Sequence, residues 1–397
     1  MSTDQTTGVS PARVAFYNDP KTRSIIYQVV LCALIALLVV GATFNAIDHL
    51  RRAHIASGFG FWDQTAGFDI SQTLIFYSAQ VSTYGRAFWV GLLNTLLVAG
   101  LGIVFATILG FTIGISRLSK NWLLSNFATG YVETIRNLPL LLQLLFWYNA
   151  VLKALPEMRD SIAIPGGTFL NNRGLFLPSP VFLYGFSAVV AALIVGVIAA
   201  IAFYIWARKR QERSGQQAPV FLVTLALVVG LPFVVLALKG FPLSFDYPQA
   251  GRFNISGGLE VLPEFAALLF GLSIYTAAFI AEVVRAGITA VSRGQTEAAY
   301  SLGLKPRPTL RLIIVPQAMR VILPPLTSQY LNLTKNSTLA VAIGYPDLVQ
   351  VFTGTVLNQT GQAIEVVAIT MLVYLTISLA TSFLMNVYNR RVALVER

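Results

Sequence analysis

Long runs without charge constrain this chain more than any other feature. A helix needs about 20 mostly apolar residues to cross a bilayer. The sequence offers eight such stretches, at roughly 25–47, 88–115, 126–152, 181–206, 219–239, 262–288, 310–335 and 363–388. The expected fold is therefore an all-α polytopic membrane protein of about eight transmembrane helices. Only 11% of the residues are charged, against about 25% in soluble domains, which argues against a soluble enzyme and a disordered chain. The first run, IIYQVVLCALIALLVVGATF, exceeds the 7–15 apolar residues of a signal peptide and lacks a clean A-x-A site. It is expected to be an uncleaved anchor. Runs three and seven carry charges and prolines. Irregular backbone at membrane depth is tolerated where it is packed in protein or lines a cavity, so these two are expected inside the bundle.

The net charge of +11 is explained by topology. With the N-terminus placed in the cytoplasm, 18 of the 28 basic residues and six acids fall on the inner side. Nine basic residues and ten acids fall outside, and Glu133 and Arg136 lie within run three. Such a bias is what cytoplasmic loops of membrane proteins carry, and it leaves a nucleic-acid reading nothing to explain. Both termini are then expected in the cytoplasm. The stretch FDISQTLIFYSAQVSTYGRAF, ending at Phe88, is amphipathic and aromatic. It reads equally as a surface-lying or docking segment and as a plain connection.

Catalytic signatures are missing. There is no G-x-x-x-x-G-K-[ST] phosphate loop, no H-E-x-x-H and no G-x-S-x-G. One cysteine, Cys32, and two histidines, His49 and His54, exclude a disulfide framework and a His-rich metal site. No enzyme, no metal site and no bound cofactor are expected. Transporter, channel and scaffold remain.

The informative stretch runs from Gly294 to Leu326, between runs six and seven. Glu297–Leu302 should form a short helix, with Gly303 ending it in a left-handed cap. The prolines of Lys305-Pro306-Arg307-Pro308 should turn the chain, and Thr309 is a plausible N-cap for the next helix. A short stiff helix held between two spans suits force transmission to a soluble partner. An ordinary loop helix fits these residues equally well.

Glu297, Ala298, Ala299, Gly303, Ile313, Val315 and Pro316 resemble the E-A-A-x3-G-x9-I-x-L-P loop of binding-protein-dependent ABC importers, with Val315 where Leu is usual. The runs GLSIYTAAFIAEVVRAG (271–287), Pro316-Gln317-Ala318, Pro324-Pro325, NLTKNSTLA (332–340) and ETIRNLPLLLQ (133–143) resemble the polar amino-acid permease branch of that family. The resemblance covers 88–152 and 262–388. It implies a five-helix core like that of type I (MetI-like) permeases, built from runs two, three, six, seven and eight. It further implies an ATPase docked on Glu297, Ala298, Ala299, Gly303 and Leu304, with ATP and Mg on that partner. A second permease chain, two ATPase copies and a periplasmic amino-acid-binding protein complete the implied assembly, in the bacterial inner membrane. Four sections are expected: 1–87, with the anchor; 88–152, the first part of the core; 153–261, an insertion with two extra spans; and 262–397, the second part with the loop. A permease enlarged in this way resembles the Q subunit of the general L-amino-acid system.

Charges at membrane depth usually face a cavity or a partner. Glu133 with Arg136, and Glu282 with Arg285, are each spaced i, i+3. They read either as local ion pairs near the cytoplasmic ends or as the lining of a polar path. On the second reading Glu282 takes a substrate ammonium and Arg136 a carboxylate, while Gln143, Thr276 and Asn332 add neutral hydrogen bonds. Lys335 is expected to snorkel to headgroups, and Glu264 and Glu365 to face solvent or a binding protein. The rivals are an ion-driven secondary transporter and a non-transporting scaffold.

Overall fold

The computed structural model describes residues 20–52, 58–251 and 254–392. Arg13, Arg252 and Arg397 among the counted basic residues, His54, and most of the proposed N-terminal cytoplasmic segment lie outside those residues. Among the described residues, seven helices are long and apolar enough to cross a membrane.

The chain begins with α1 (Pro20–Arg52), whose side chains are largely exposed over Thr22–Ala42. Then comes α2 (Tyr84–Ser116), started by Thr83, whose side chain accepts from the Arg86 amide. The third expected span is broken. It forms α3 (Trp122–Asn137) and α4 (Leu140–Leu152), separated by an extended Leu138 and by Pro139. The residue before a proline is pushed out of the helical region, which accounts for the position of the break. The last turns of α4 are π-helical.

Segment 153–261 holds short strands as well as two helices, a departure from the purely helical expectation. The strands β1 (Ile162–Ile164), β2 (Thr168–Asn171), β3 (Gly174–Leu177) and β4 (Ser179–Phe182) lead into α5 (Phe186–Ser214) and α6 (Val220–Leu238). The chain returns through β5 (Leu243–Asp246), β6 (Gln249–Ala250), β7 (Ile255–Ser256) and β8 (Leu259–Val261). One antiparallel sheet has the order β1-β2-β3-β8, and β4 pairs with β5. The register Phe182↔Leu243 closes the base of the α5–α6 hairpin. The two helices pack closely: a Cβ on Gly196 of α5 would collide with the Leu227 carbonyl of α6.

From β8 the chain enters α7 (Pro263–Thr289), followed by the short α8 (Arg293–Ser301) and by α9 (Pro306–Ile343). A tight turn at Gly344, with φ +76°, leads to α10 (349–360) and then to α11 (Ala363–Val392).

The core lies where α2, α4, α7 and α9 meet, around Val98, Leu144, Leu268, Leu272, Ile280, Ile322 and Leu333. In lipid, apolar area alone does not drive helices together, and small residues that let backbones approach are favoured. Helix α2 carries such a stripe at Gly102, Ala106, Gly110 and Gly114, all buried. A Cβ on Gly110 would sit 2.6 Å from Ile280 Cβ, and one on Gly114 would sit 2.7 Å from the Ala281 carbonyl oxygen. The α2–α7 contact therefore requires glycine at both positions.

A second cluster binds the loop before α2 to the same end of the bundle as the sheet. Phe61, Trp62, Phe88 and Phe352 pack with centroid separations of 5.2 to 6.3 Å. Up to Thr83 the aromatic stretch before α2 is turns and extended chain. Phe68 of that stretch packs on Tyr84 of α2, while Leu74, Phe76 and Val81 stay exposed.

Candidate functional site

Five charges from three segments converge near the α8 end of α7. Glu282 lies on α7, one turn from Arg285, whose Nη2 donates to Glu282 Oε1 at 2.6 Å. Arg117, immediately after α2, donates to Glu282 Oε2. From α3, Arg136 approaches the same oxygen at 4.0 Å, and Glu133 lies 3.7 Å from Arg117. The i, i+3 ion pair expected on α7 is present. On α3, Glu133 pairs with Arg117 instead of with Arg136.

Burial differs sharply within the cluster. The Arg117 side chain is 9% exposed and its Nε is buried without a hydrogen-bond acceptor, whereas that of Arg136 is 35% exposed. A desolvated guanidinium needs a counter-charge, and Glu282 supplies it. Arg136 instead rests over the Phe279 ring, 5.2 Å from its centroid. Among the described residues its guanidinium donates no hydrogen bond, and it is more exposed than that of Arg117.

Arg136 and Glu282 line a cleft of about 270 Å³ between α7 and α9, walled by Phe279, Val321, Pro325 and Gln329. The last three are spaced four residues apart, so they share one face of α9. Asn332, one turn further along, is exposed. Thr276 is buried within α7, at 3% exposure. Gln143 is not at the cleft. Its Nε2 donates to the carbonyls of Ile135 and Leu138, at 2.9 and 3.0 Å, where the break leaves α3 without its own donors. Both Glu282 oxygens already accept from arginine, so a carboxylate could be held here at Arg136 more readily than an ammonium at Glu282.

The second predicted site, α8, is held at both ends. Ser292 Oγ accepts from the Gly294 amide at 3.3 Å. At the other end Gly303 is left-handed, with φ +75°. Its N–H donates to the Tyr300 carbonyl, and the Leu304 N–H to the Ala299 carbonyl, at 2.9 and 3.1 Å. This is the six-to-one and five-to-two pattern of a Schellman turn. The N-cap expected at Thr309 is not found. Helix α9 already starts at Pro306, with Lys305 before it, and Thr309 is buried inside that helix with its hydroxyl donating to the Lys305 carbonyl. Pro306 and Pro308 open the helix because the first-turn amides they lack have no intrahelical partner anyway. Ala299 is 1% exposed, while Leu302 is 82% exposed and Glu297 and Ala298 face outward. Gln317 Nε2 of α9 donates to Gln295 Oε1, at 3.3 Å, tying the two helices.

Residues 213–394 match the family model "Binding-protein-dependent transport system inner membrane component". The chain is 54% identical to the general L-amino acid transport system permease protein AapQ of Rhizobium johnstonii, over 97% of this chain and 96% of that one. It is 43% identical to the glutamate/glutamine/aspartate/asparagine transport system permease protein BztB of Rhodobacter capsulatus, over 96% of each. The chain belongs to this permease family. It is a membrane-spanning transport subunit and not an enzyme. Among solved structures, an amino acid ABC transporter with histidines aligns at TM-score 0.46 and 23% identity, over 78% of the permease and 95% of that chain. An inward-facing MetNI methionine ABC transporter aligns at 0.41 and 13%, over 78% and 96%.

Arg117 is the permease residue that reading the sequence missed. A signal for it exists. It stands three residues after Gly114, on the face of α2 that carries the small-residue stripe, and that face meets α7. Gln329 was missed too, although it continues the spacing of Val321 and Pro325.

Proposed function

We propose that the permease forms the translocation path of an ATP-driven importer of L-amino acids, and that α8 is the part on which a separate ATPase pushes. The observation that carries this reading is α8 itself. It is a nine-residue helix capped at both ends and joined directly to two spans. It buries Ala299 while presenting Glu297, Ala298 and Leu302. Exposed charged and apolar groups on a helix held in this way suit a docking face.

The substrate class is supported by the names of the relatives and by Arg136, a cation with free donors in a membrane cleft. The orientation is supported by the distribution of basic residues, which favours α8 and both termini in the cytoplasm. In this reading the assembly contains a second permease chain, two ATPase copies and a periplasmic binding protein. ATP and Mg sit on the ATPase, and this chain binds no cofactor. Closure of the ATPases moves the two α8 helices together, and the cleft between α7 and α9 changes the side on which it opens. Substrate is driven because the two states bind it differently.

The test is co-purification. The tagged permease, solubilised gently, should bring down an ABC ATPase, and Glu297→Lys should remove it while membrane insertion is unchanged. A permease that purifies alone and drives uptake under an ion gradient would overturn the reading in favour of a secondary transporter.

A further inference from the structure

A second charged cleft lies at the far end of α7 from α8. Its volume is about 330 Å³, and its walls include Tyr148 and Lys153 at the end of α4, Arg173, Glu264 at the start of α7, Ser71 and Gly344. Each charged group is placed by a separate local device. The Lys153 N–H donates to the Tyr148 carbonyl at 3.0 Å, closing the last π-turn. Its ammonium then lies 4.4 Å from the Tyr148 ring centroid. Arg173 occupies the two-residue turn between β2 and β3, where its amide donates to Asn171 Oδ1 at 2.9 Å. The Tyr148 hydroxyl donates to Glu264 Oε1 at 2.6 Å.

These groups do not neutralise one another. Among the described residues, no carboxylate lies within 4.0 Å of Lys153 or Arg173, and Glu264 Oε2 has no partner. Glu260 on β8 is the other nearby acid. It senses Arg173 electrostatically but lines the neighbouring depression. The cleft thus offers two cations and one carboxylate oxygen, none in an ion pair within 4.0 Å among the described residues, around a space of the size of a small molecule. In the deep cleft, by contrast, both oxygens of Glu282 are already taken.

We infer that this cleft is an outer acceptance site for a free α-amino acid, with the carboxylate on Lys153 and Arg173 and the ammonium on Glu264 Oε2. It reads both charges of the zwitterion before the substrate reaches Arg136, which reads only one. The inference rests on the reading of the permease as an amino-acid importer.

The experiment uses the complete transporter in nanodiscs without its binding protein, and radiolabelled L-glutamine as probe. The wild type should bind it saturably. Glutaramate, lacking the ammonium, and 4-aminobutanamide, lacking the carboxylate, should each compete at least tenfold more weakly than unlabelled L-glutamine. Arg173→Gln and Glu264→Gln should each weaken binding at least tenfold, and Arg173→Lys should restore most of it. Membrane insertion and co-purification of the ATPase should stay at the wild-type level in all three variants, and stimulation of ATP hydrolysis by the binding protein is measured alongside. Wild-type or variant binding that ignores these changes would overturn the acceptance site. So would loss of the ATPase stimulation with binding intact, which would make the surface a contact for the binding protein. Both results leave the importer reading standing if the wild type still imports L-glutamine. Absence of import by the complete wild-type system would overturn the importer reading and the site with it.

Discussion

Arg117 and Glu282 depend on each other. With its side chain 9% exposed, Arg117 is tolerable only because a carboxylate reaches it, and removing one partner of a buried pair costs more than the pair contributes. Glu282→Gln should therefore lower stability by about 3 kcal/mol, read as the thermal midpoint of the detergent-solubilised protein. Replacing Arg117 and Glu282 together by Met should recover most of that loss. Asp347, in the turn between α9 and α10 and outside the membrane-spanning helices, behaves differently. It is fully buried, accepts from the Gln350 amide at 2.8 Å and from the Tyr374 hydroxyl, and has no cation beside it among the described residues. Burial pushes its carboxyl up from 3.8 to about 7, against the lowering effect of those hydrogen bonds. Below about pH 4 the native and unfolded chains both keep the proton. Between about 4 and 7 only the native chain keeps it, so stability falls as pH rises through that window and then levels off. Asp347→Asn, which can still accept from Gln350, should flatten the profile. It should gain up to about 4 kcal/mol over the wild type at pH 8 and nothing near pH 4, as a pH series of unfolding midpoints would show.

At the scale of elements, α8 is a short helix whose ends are both fixed. Gly303 is needed for its left-handed backbone, which costs other residues about 1 kcal/mol or more, and for the turn that aims Leu304 and Pro306 into α9. Gly303→Asp should leave the chain inserted and abolish uptake by the assembled transporter. Normal uptake by that variant would remove α8 from the mechanism. This turn was legible in the sequence, because a glycine after a helix-forming run followed by prolines has few other solutions. The spans were legible for the same kind of reason: lipid admits little besides helices. The break at Leu138–Pro139 was only half legible. Its proline marked the third run as irregular but did not show that Gln143 would cap the gap. The strands were not read at all. Each is two to four residues long, and in a chain this apolar a short run such as Gly174–Leu177 does not stand out. The turns Pro165-Gly166-Gly167 and Asn172-Arg173-Gly174 could have betrayed them. The small-residue stripe could have pointed Arg117 toward another helix, but not to Glu282 as its partner, and the cleft at Lys153 could not be read, since both join residues more than 90 positions apart.

At the scale of the molecule, the permease is a tight core with a loosely attached side piece. Helices α2, α4, α7 and α9 share one interior, while α5 and α6 pack chiefly on each other and leave most of their apolar surface outward. The β4–β5 ladder brings Phe182 and Leu243 opposite each other, the spacing that a two-residue Asn-Gly turn would bridge. Replacing 183–242 by that turn should leave the core folded. The shortened protein should still insert, still purify as a monodisperse species and still retain the ATPase through Glu297. Aggregation of the shortened chain would show that α5 and α6 support the core.

That ladder also bears on how such a chain could have arisen. A segment whose two ends already meet can enter or leave a gene in one in-frame step, because the rest of the polypeptide need not be rethreaded to receive it. The helical pair is in this sense a cassette. Its sequence is free to drift toward whatever lipid or protein surrounds it, while the helices that carry the cleft are held to their glycines and arginines.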